Sequence, residues 1–200
     1  MFNSDERWAV LKPVLEVPKT SRHGRPRADA RAVFEAILFI LHTGIQWKYL
    51  PRTFPPKSTV HDYLTLWSRS EAFRKLFARV IRQLIPNGRI DLDEGFVDAP
   101  FAAAKGGGID VGLTRKDKGN KLQVLVDAQW FPLGLSMALA STGETAMVQQ
   151  TLALMEPQVQ PDKLMGDKGY DCDALDDALS ELGIEMIAPH RSNRRPDTAT

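Results

Sequence analysis

The sequence predicts an α/β protein in two parts: a helical N-terminal region, residues 1–86, and a mixed sheet with packed helices, residues 87–200. Three observations predict it. Apolar residues recur at the helical period up to about Leu84 and fall into short strand-like runs afterwards. The turn Pro86-Asn87-Gly88 separates the two patterns. The charge changes sign with them: residues 1–90 carry sixteen Lys and Arg against seven Asp and Glu, a net +9, and residues 91–200 carry −8. That split argues for a basic part that meets a polyanion and an acidic part with a separate task. Chance drift between two surfaces would give the same signs.

Composition excludes several classes. One cysteine, Cys172, rules out a disulfide scaffold and a Cys-rich zinc site, and it fits a reducing, intracellular home. The longest apolar stretch, Val33–Leu41, is broken by Glu35 and falls far short of a membrane span. The N-terminal MFNSDERW is polar where a secretory signal would be basic and then apolar.

The first helix is expected to start at Ser4 as its N-cap, with Asp5 and Glu6 in the first turn and Trp8, Leu11 and Leu15 on one face. Pro13 should kink or end it. PKTSRHGRP, residues 18–26, is a basic loop. Asp29 opens a second helix, with Val33, Ile37, Leu38 and Leu41 as its stripe and Gly44 as its C-terminal stop. An aromatic and proline-rich connector follows. Ser58 or Thr59 caps a third helix, with Val60, Tyr63, Leu64 and Trp67 inward. The fourth runs from about Glu71 to Leu84 and turns Phe73, Leu76, Phe77, Val80, Ile81 and Leu84 inward.

Short helices with a basic loop fit a helix-turn-helix-like DNA-binding unit. The helix near 59–69 is then the reader: Lys57, Ser58, Thr59, His61 and Arg69 reach phosphates or base edges, and Arg22, Arg25 and Arg27 track the backbone. Helical bundles with basic faces are common without DNA. Trp47, Tyr49, Phe54 and Trp67 read as core rather than base-stacking platforms, and His42 as a packing residue.

The second part reads as strands at 90–98, 121–129 and 131–140, a helix at 144–156, a strand at 163–167, a helix through Leu182 capped by Asp171 or Asp173, and a strand at 184–190. The second and third strands form a hairpin turned at Asp127. The loop 104–121 holds Gly106-Gly107-Gly108 and the cations Arg115, Lys116, Lys118 and Lys121. It has no P-loop spacing. Such a loop suits a phosphodiester backbone; a solvated surface loop would share its composition.

Asp98 and Asp167 are the candidate catalytic and metal-holding residues. Each follows a short apolar run, so each lies at the C-terminal end of a strand, where α/β folds build their sites. Two carboxylates brought together there repel unless a cation sits between them. Mg²⁺, a hard ion that takes oxygen ligands, answers that need and suits phosphodiester chemistry. Asp93, Glu94, Asp171 and Asp173 read as structural or supporting carboxylates.

FVDAPFAAAKGGGIDVGLTRKDKGNKLQVLVDAQWFPLG and LMGDKGYDCDALDDALSELGIEMIAPHRSNRR closely resemble the catalytic domain of bacterial insertion-sequence transposases of the DDE type. WKYLPRTFPPKSTVHDYLTLW resembles their N-terminal segment. The resemblance implies an RNase H-like fold and strand cleavage and transfer, dependent on Mg²⁺ or Mn²⁺, at the terminal inverted repeats of the element. It implies Asp98 and Asp167 as the first two catalytic carboxylates, a homo-oligomer on double-stranded DNA and a cytoplasmic, nucleoid-associated home. The family's third carboxylate is a Glu in a Tyr-Arg-Glu-Lys signature that Glu181 and Glu185 do not match. The expectation is therefore a chain truncated before its last helix and largely inactive alone, with apolar sheet surface left exposed or paired. The alternatives are a non-catalytic DNA-binding regulator of the full-length enzyme and an unrelated nuclease.

Overall fold

The computed structural model describes residues 4–17, 26–104, 111–113, 118–155 and 159–191. The chain forms two compact units, Met1–Val80 and Ile81–Thr200. The division falls inside a helix, upstream of the expected junction at 86/87.

In the first unit, α1 (Asp5–Leu15) is capped by Ser4, whose side chain accepts the Arg7 N–H. Pro13 does not end it; the helix continues to Leu15, because only its last turn must do without the missing donor. The next helix, α2 (Ala30–Thr43), is held at both ends: Asp29 accepts from the N–H groups of Arg31 and Ala32, and Gly44 takes the left-handed conformation (φ 65°) that closes it. The third, α3 (Lys57–Arg69), starts one residue before the expected caps. Pro56 occupies the N-cap without a side-chain bond, so Ser58 and Thr59 lie inside the first turn. The fourth, α4, spans Ala72–Leu84. Leu15, Val33, Phe34, Ile37, Val60, Tyr63 and Trp67 form the core, closed by Ala72 and Leu76. Trp67 is buried; its ring meets Tyr63, Phe34 and Phe73 edge-on, and its indole N–H donates to the Leu15 carbonyl at 3.1 Å. Four expected packing residues are not buried: Leu41 at the end of the α2 stripe, His42, Tyr49 and Phe77 are exposed. Tyr49 instead carries the Lys48 ammonium 4.7 Å above its ring centre.

The second unit is built on one sheet: β1 (Glu94–Asp98), β2 (Phe101–Ala103), β3 (Gly112–Leu113), β4 (Lys118–Asp127), β5 (Pro132–Leu139), β6 (Lys163–Met165) and β7 (Glu185–Ile187). The central order is β5-β4-β1-β6-β7. Of these β4 alone runs against the rest, since β1, β6 and β7 pair in parallel while β4 is antiparallel to β1 and to β5. The short strand β3, inside the stretch 104–121 expected to be loop, and β2, just before that stretch, add to the N-terminal half of β4. Their sequences do not alternate; pairing with a long neighbour makes them strands. Between β5 and β6 lies α5 (Glu144–Leu154), packed on β5 and β4, and α6 (Asp173–Ser180) packs on β7. Cys172, rather than Asp171 or Asp173, is the N-cap of α6. The core gathers Val97, Leu125, Leu133, Val148, Leu152, Leu164, Leu175 and Leu179. Leu135, Met137 and Leu139 of β5 are exposed.

Candidate active site and nucleic-acid interface

The parallel ladder of β1 and β6 sets the position of the two expected carboxylates. Phe96 pairs with Met165, the last rung. Asp98 and Asp167 each lie two residues further, at the same end of neighbouring strands, which run about 4.8 Å apart in any sheet. Asp167 keeps an extended backbone (ψ 178°) and then caps the short helical turn Lys168–Tyr170, accepting the Gly169 N–H at 2.7 Å. Asp98 accepts the Ala99 N–H at 2.8 Å. Both side chains are exposed at the sheet's rim.

Two further residues of this rim were not foreseen. Glu144, the first residue of α5, reaches in from the side. Its Oε1 lies 3.2 Å from the Lys121 ammonium, so Lys121, expected to hold DNA phosphate, is committed to an ion pair inside the protein. Gly169 records how closely the two acids converge. A Cβ there would clash with Glu144 Oε2 and lie 2.7 Å from Asp167 Oδ1, so a side chain at this position would push the two carboxylates aside. Tyr170 is the second. Its ring is buried and its hydroxyl has no hydrogen-bond partner among the described residues. Burial, and then the negative charges of Glu144, Asp98 and Asp167, push the phenol's pKa well above its usual value. All three carboxylates are therefore felt at one buried oxygen.

Asp98 and Asp167 form a hard-oxygen donor pair of the kind that Mg²⁺ or Mn²⁺ takes. Among the described residues no group of three His, Cys, Asp or Glu is arranged to hold a metal. The two could supply part of a divalent ion's coordination, with water or other oxygens supplying the rest. Asp127, at the hairpin turn where it was expected, is fully buried and accepts N–H groups from Asp91, Gln129 and Phe131 at 3.1, 2.9 and 2.7 Å. It staples a loop and faces no substrate. Asp93 is exposed, Glu94 begins β1 and Asp173 begins α6. Asp171 is buried and bonded to His190 and Arg191.

Of the residues expected to meet DNA, Lys57, Ser58, His61 and Arg69 are exposed on α3 and Thr59 is half-buried. The His61 ring also leans edge-on against Trp47, with centroids 5.6 Å apart. Arg27 is exposed just before α2, and Lys118 is exposed at the start of β4. Arg22, Arg25, Arg115 and Lys116 lie outside the described residues. No described helix is long and apolar enough to cross a membrane.

Residues 4–77 match a family model described as "Putative transposase of IS4/5 family (DUF4096)", and residues 88–198 match one described as "Transposase DDE domain". The chain is 31% identical over 115 residues to a Burkholderia cepacia protein, "Insertion element IS402 uncharacterized 16.2 kDa protein"; the match covers 55% of this chain and 78% of that one. Its fold is similar to piggyBac transposase in a synaptic complex with hairpin DNA, with a TM-score of 0.51 and 12% identity over 93% of this chain and 47% of that one. The chain thus spans about half that transposase's length. The likeness concerns the fold, N-terminal helices followed by an RNase H-like mixed sheet. The Mos1 strand transfer complex matches with a TM-score of 0.36 and 16% identity over 86% of this chain and 61% of that one.

Proposed function

Because the chain belongs to the DDE transposase family, we propose that it acts on the ends of an insertion element: its helical unit grips the terminal inverted repeats, and Asp98 and Asp167 hold a divalent cation, Mg²⁺ or Mn²⁺, for DNA strand cleavage and transfer. The observation that carries the catalytic half is the β1–β6 register, which brings the two aspartates to one end of adjacent parallel strands. Each carboxylate commits one oxygen to a backbone N–H, from Ala99 or from Gly169, and is thereby oriented. A divalent ion held there would activate the attacking oxygen and stabilise the departing one. Lys121 neutralises Glu144 beside the site and limits the repulsion that a third carboxylate adds there.

The exposed Lys57, Ser58, His61 and Arg69 support the DNA-binding half, with Arg27 flanking them. Contacts of this type act on phosphates and make binding salt-sensitive. A second reading, a non-catalytic binder that regulates a complete transposase, draws on the same exposed cations of α3.

One experiment tests both. The full chain is incubated with end-labelled DNA carrying the element's inverted repeats and Mg²⁺ or Mn²⁺. Nicking at the element boundary that disappears in Asp98→Asn and Asp167→Asn is the expected result. A salt-sensitive mobility shift without nicking supports the regulator. Lys57→Ala or Arg69→Ala should flatten the salt dependence by about one unit of slope each; unchanged slopes would remove α3 from the interface.

A further inference from the structure

We propose that Arg191 and Asp171 form a latch that positions the Asp167 carboxylate for its cation, binding the segment after β7 to the turn after β6. This rests on the assignment of Asp167 as a metal-holding residue.

Four bonds define the latch. The Arg191 Nε donates to the Lys168 carbonyl at 2.9 Å, and its Nη2 donates to the Gly169 carbonyl. The Arg191 backbone N–H donates to Asp171 Oδ2 at 2.7 Å, and the His190 ring Nδ1 lies 3.3 Å from Asp171 Oδ1. The Asp171 side chain is only 3% exposed, so this anchor is buried, whereas His190 is open to solvent. The guanidinium thus holds two successive carbonyls of the turn that Asp167 caps.

The consequence for Asp167 runs through Gly169. The Gly169 N–H is the donor that orients Asp167 Oδ1, and the Gly169 carbonyl is the one that Arg191 holds. A glycine has no side chain to restrain its own backbone, so the peptide planes on either side need an outside hold. Arginine suits this task because its rigid fork bonds two carbonyls at once, while a lysine ammonium is a point donor on a flexible stem. Both act on Asp167 through the turn that it caps; both are positioning residues. Groups bonded directly to a metal ligand change metal affinity about 10–100-fold when lost; the latch acts one peptide further out, through Gly169, so its effect belongs at the low end of that range.

The test uses the full chain and Mn²⁺ alone, followed by the free-ion electron paramagnetic resonance signal. Arg191→Ala should weaken Mn²⁺ binding about 10-fold, the low end of the range for supporting groups, Asp171→Asn should weaken it in the same direction, and Arg191→Lys should recover part of the loss. Amide exchange at Gly169 should quicken in the same order while amides of β4 stay protected. Arg191→Ala binding Mn²⁺ like the parent chain would overturn the latch. Should Arg191→Ala fail to fold, Asp171→Asn, which keeps the shape of the side chain, decides in its place. Failure of the underlying assignment looks different: Asp167→Asn then leaves Mn²⁺ binding unchanged. In that case unaltered Gly169 exchange in Arg191→Ala overturns the latch, and faster exchange supports its hold on the Asp167 turn.

Discussion

The two units keep their interiors in different ways. In the second, Gln123, Asp127, Ser136, Thr151 and Asp171 are buried polar residues; the first has none among its described residues. Helices satisfy their own backbone groups, and the first unit adds side-chain help near helix ends: Ser4 and Asp29 from solvent, Trp67 and Tyr63 from within on the Leu15 and Ala28 carbonyls. A sheet satisfies its strands but not the loops that leave them, so carboxylates are drawn to strand ends and some are buried there. Asp127 and Asp171 hold such loops. Asp98 and Asp167 occupy the same kind of position with an open side. The proposed cation site therefore arises in the sheet unit from a pattern the fold already uses. The helical unit can spend its surface charges on a polyanion without disturbing its core.

The largest expected effect tests the dry interior. Trp67→Ala removes a buried ring that meets three aromatic neighbours, and it leaves the Leu15 carbonyl without its indole donor. It should cost about 3–5 kcal/mol, read from urea unfolding followed by circular dichroism. Amide exchange in α2 and α3 should accelerate with it. Equal acceleration in β1 and β6 would show that the two units melt as one, and the contrast drawn above would lose its basis.

The matching change in the sheet unit is Asp127→Ala. It strands three backbone N–H groups that now share one buried carboxylate. The loss should be about 3 kcal/mol, with the faster exchange centred on Gln129 and Phe131. An effect under about 0.5 kcal/mol, the range of ordinary surface substitutions, would mean that solvent satisfies these groups as well as the carboxylate does.

The same contrast explains what the sequence made legible. Local signals sufficed for the helical unit: Asp29 and Gly44 bracket α2 as read, because caps act over three or four residues. The error at α3 was also local, since proline at the N-cap displaced the hydroxyls expected there. Asp98 and Asp167 could be picked out because a carboxylate ending an apolar run is visible in one dimension. Their meeting was an inference that needed the register. The roles of Glu144 and Lys121, of Tyr170, and of Arg191 and Asp171 depend on residues about twenty positions apart, or on packing, with no periodic pattern to mark them. Pairing with β4 likewise makes a strand of β3, which composition assigns to loop, and of β2 just before it.

The smallest effect compares two buried tyrosines. In the helical unit the Tyr63 hydroxyl donates to the Ala28 carbonyl at 3.1 Å. In the sheet unit the Tyr170 hydroxyl has no described partner and faces the carboxylates. Tyr63→Phe should therefore cost about 1 kcal/mol, and Tyr170→Phe should be neutral or stabilising near pH 7. Alkali separates them further. The folded state holds the Tyr170 proton more tightly than the unfolded chain, whose phenol ionises near pH 10. Its contribution is thus intact below about pH 10 and is lost as the pH rises above that, by up to about 1.4 kcal/mol per unit. Between pH 8 and 11 the parent chain should lose about 1 kcal/mol relative to Tyr170→Phe in paired urea titrations, the other titrating groups being common to both. Parallel stability curves would mean that neither burial nor the carboxylates of the rim hold the Tyr170 proton in the folded state.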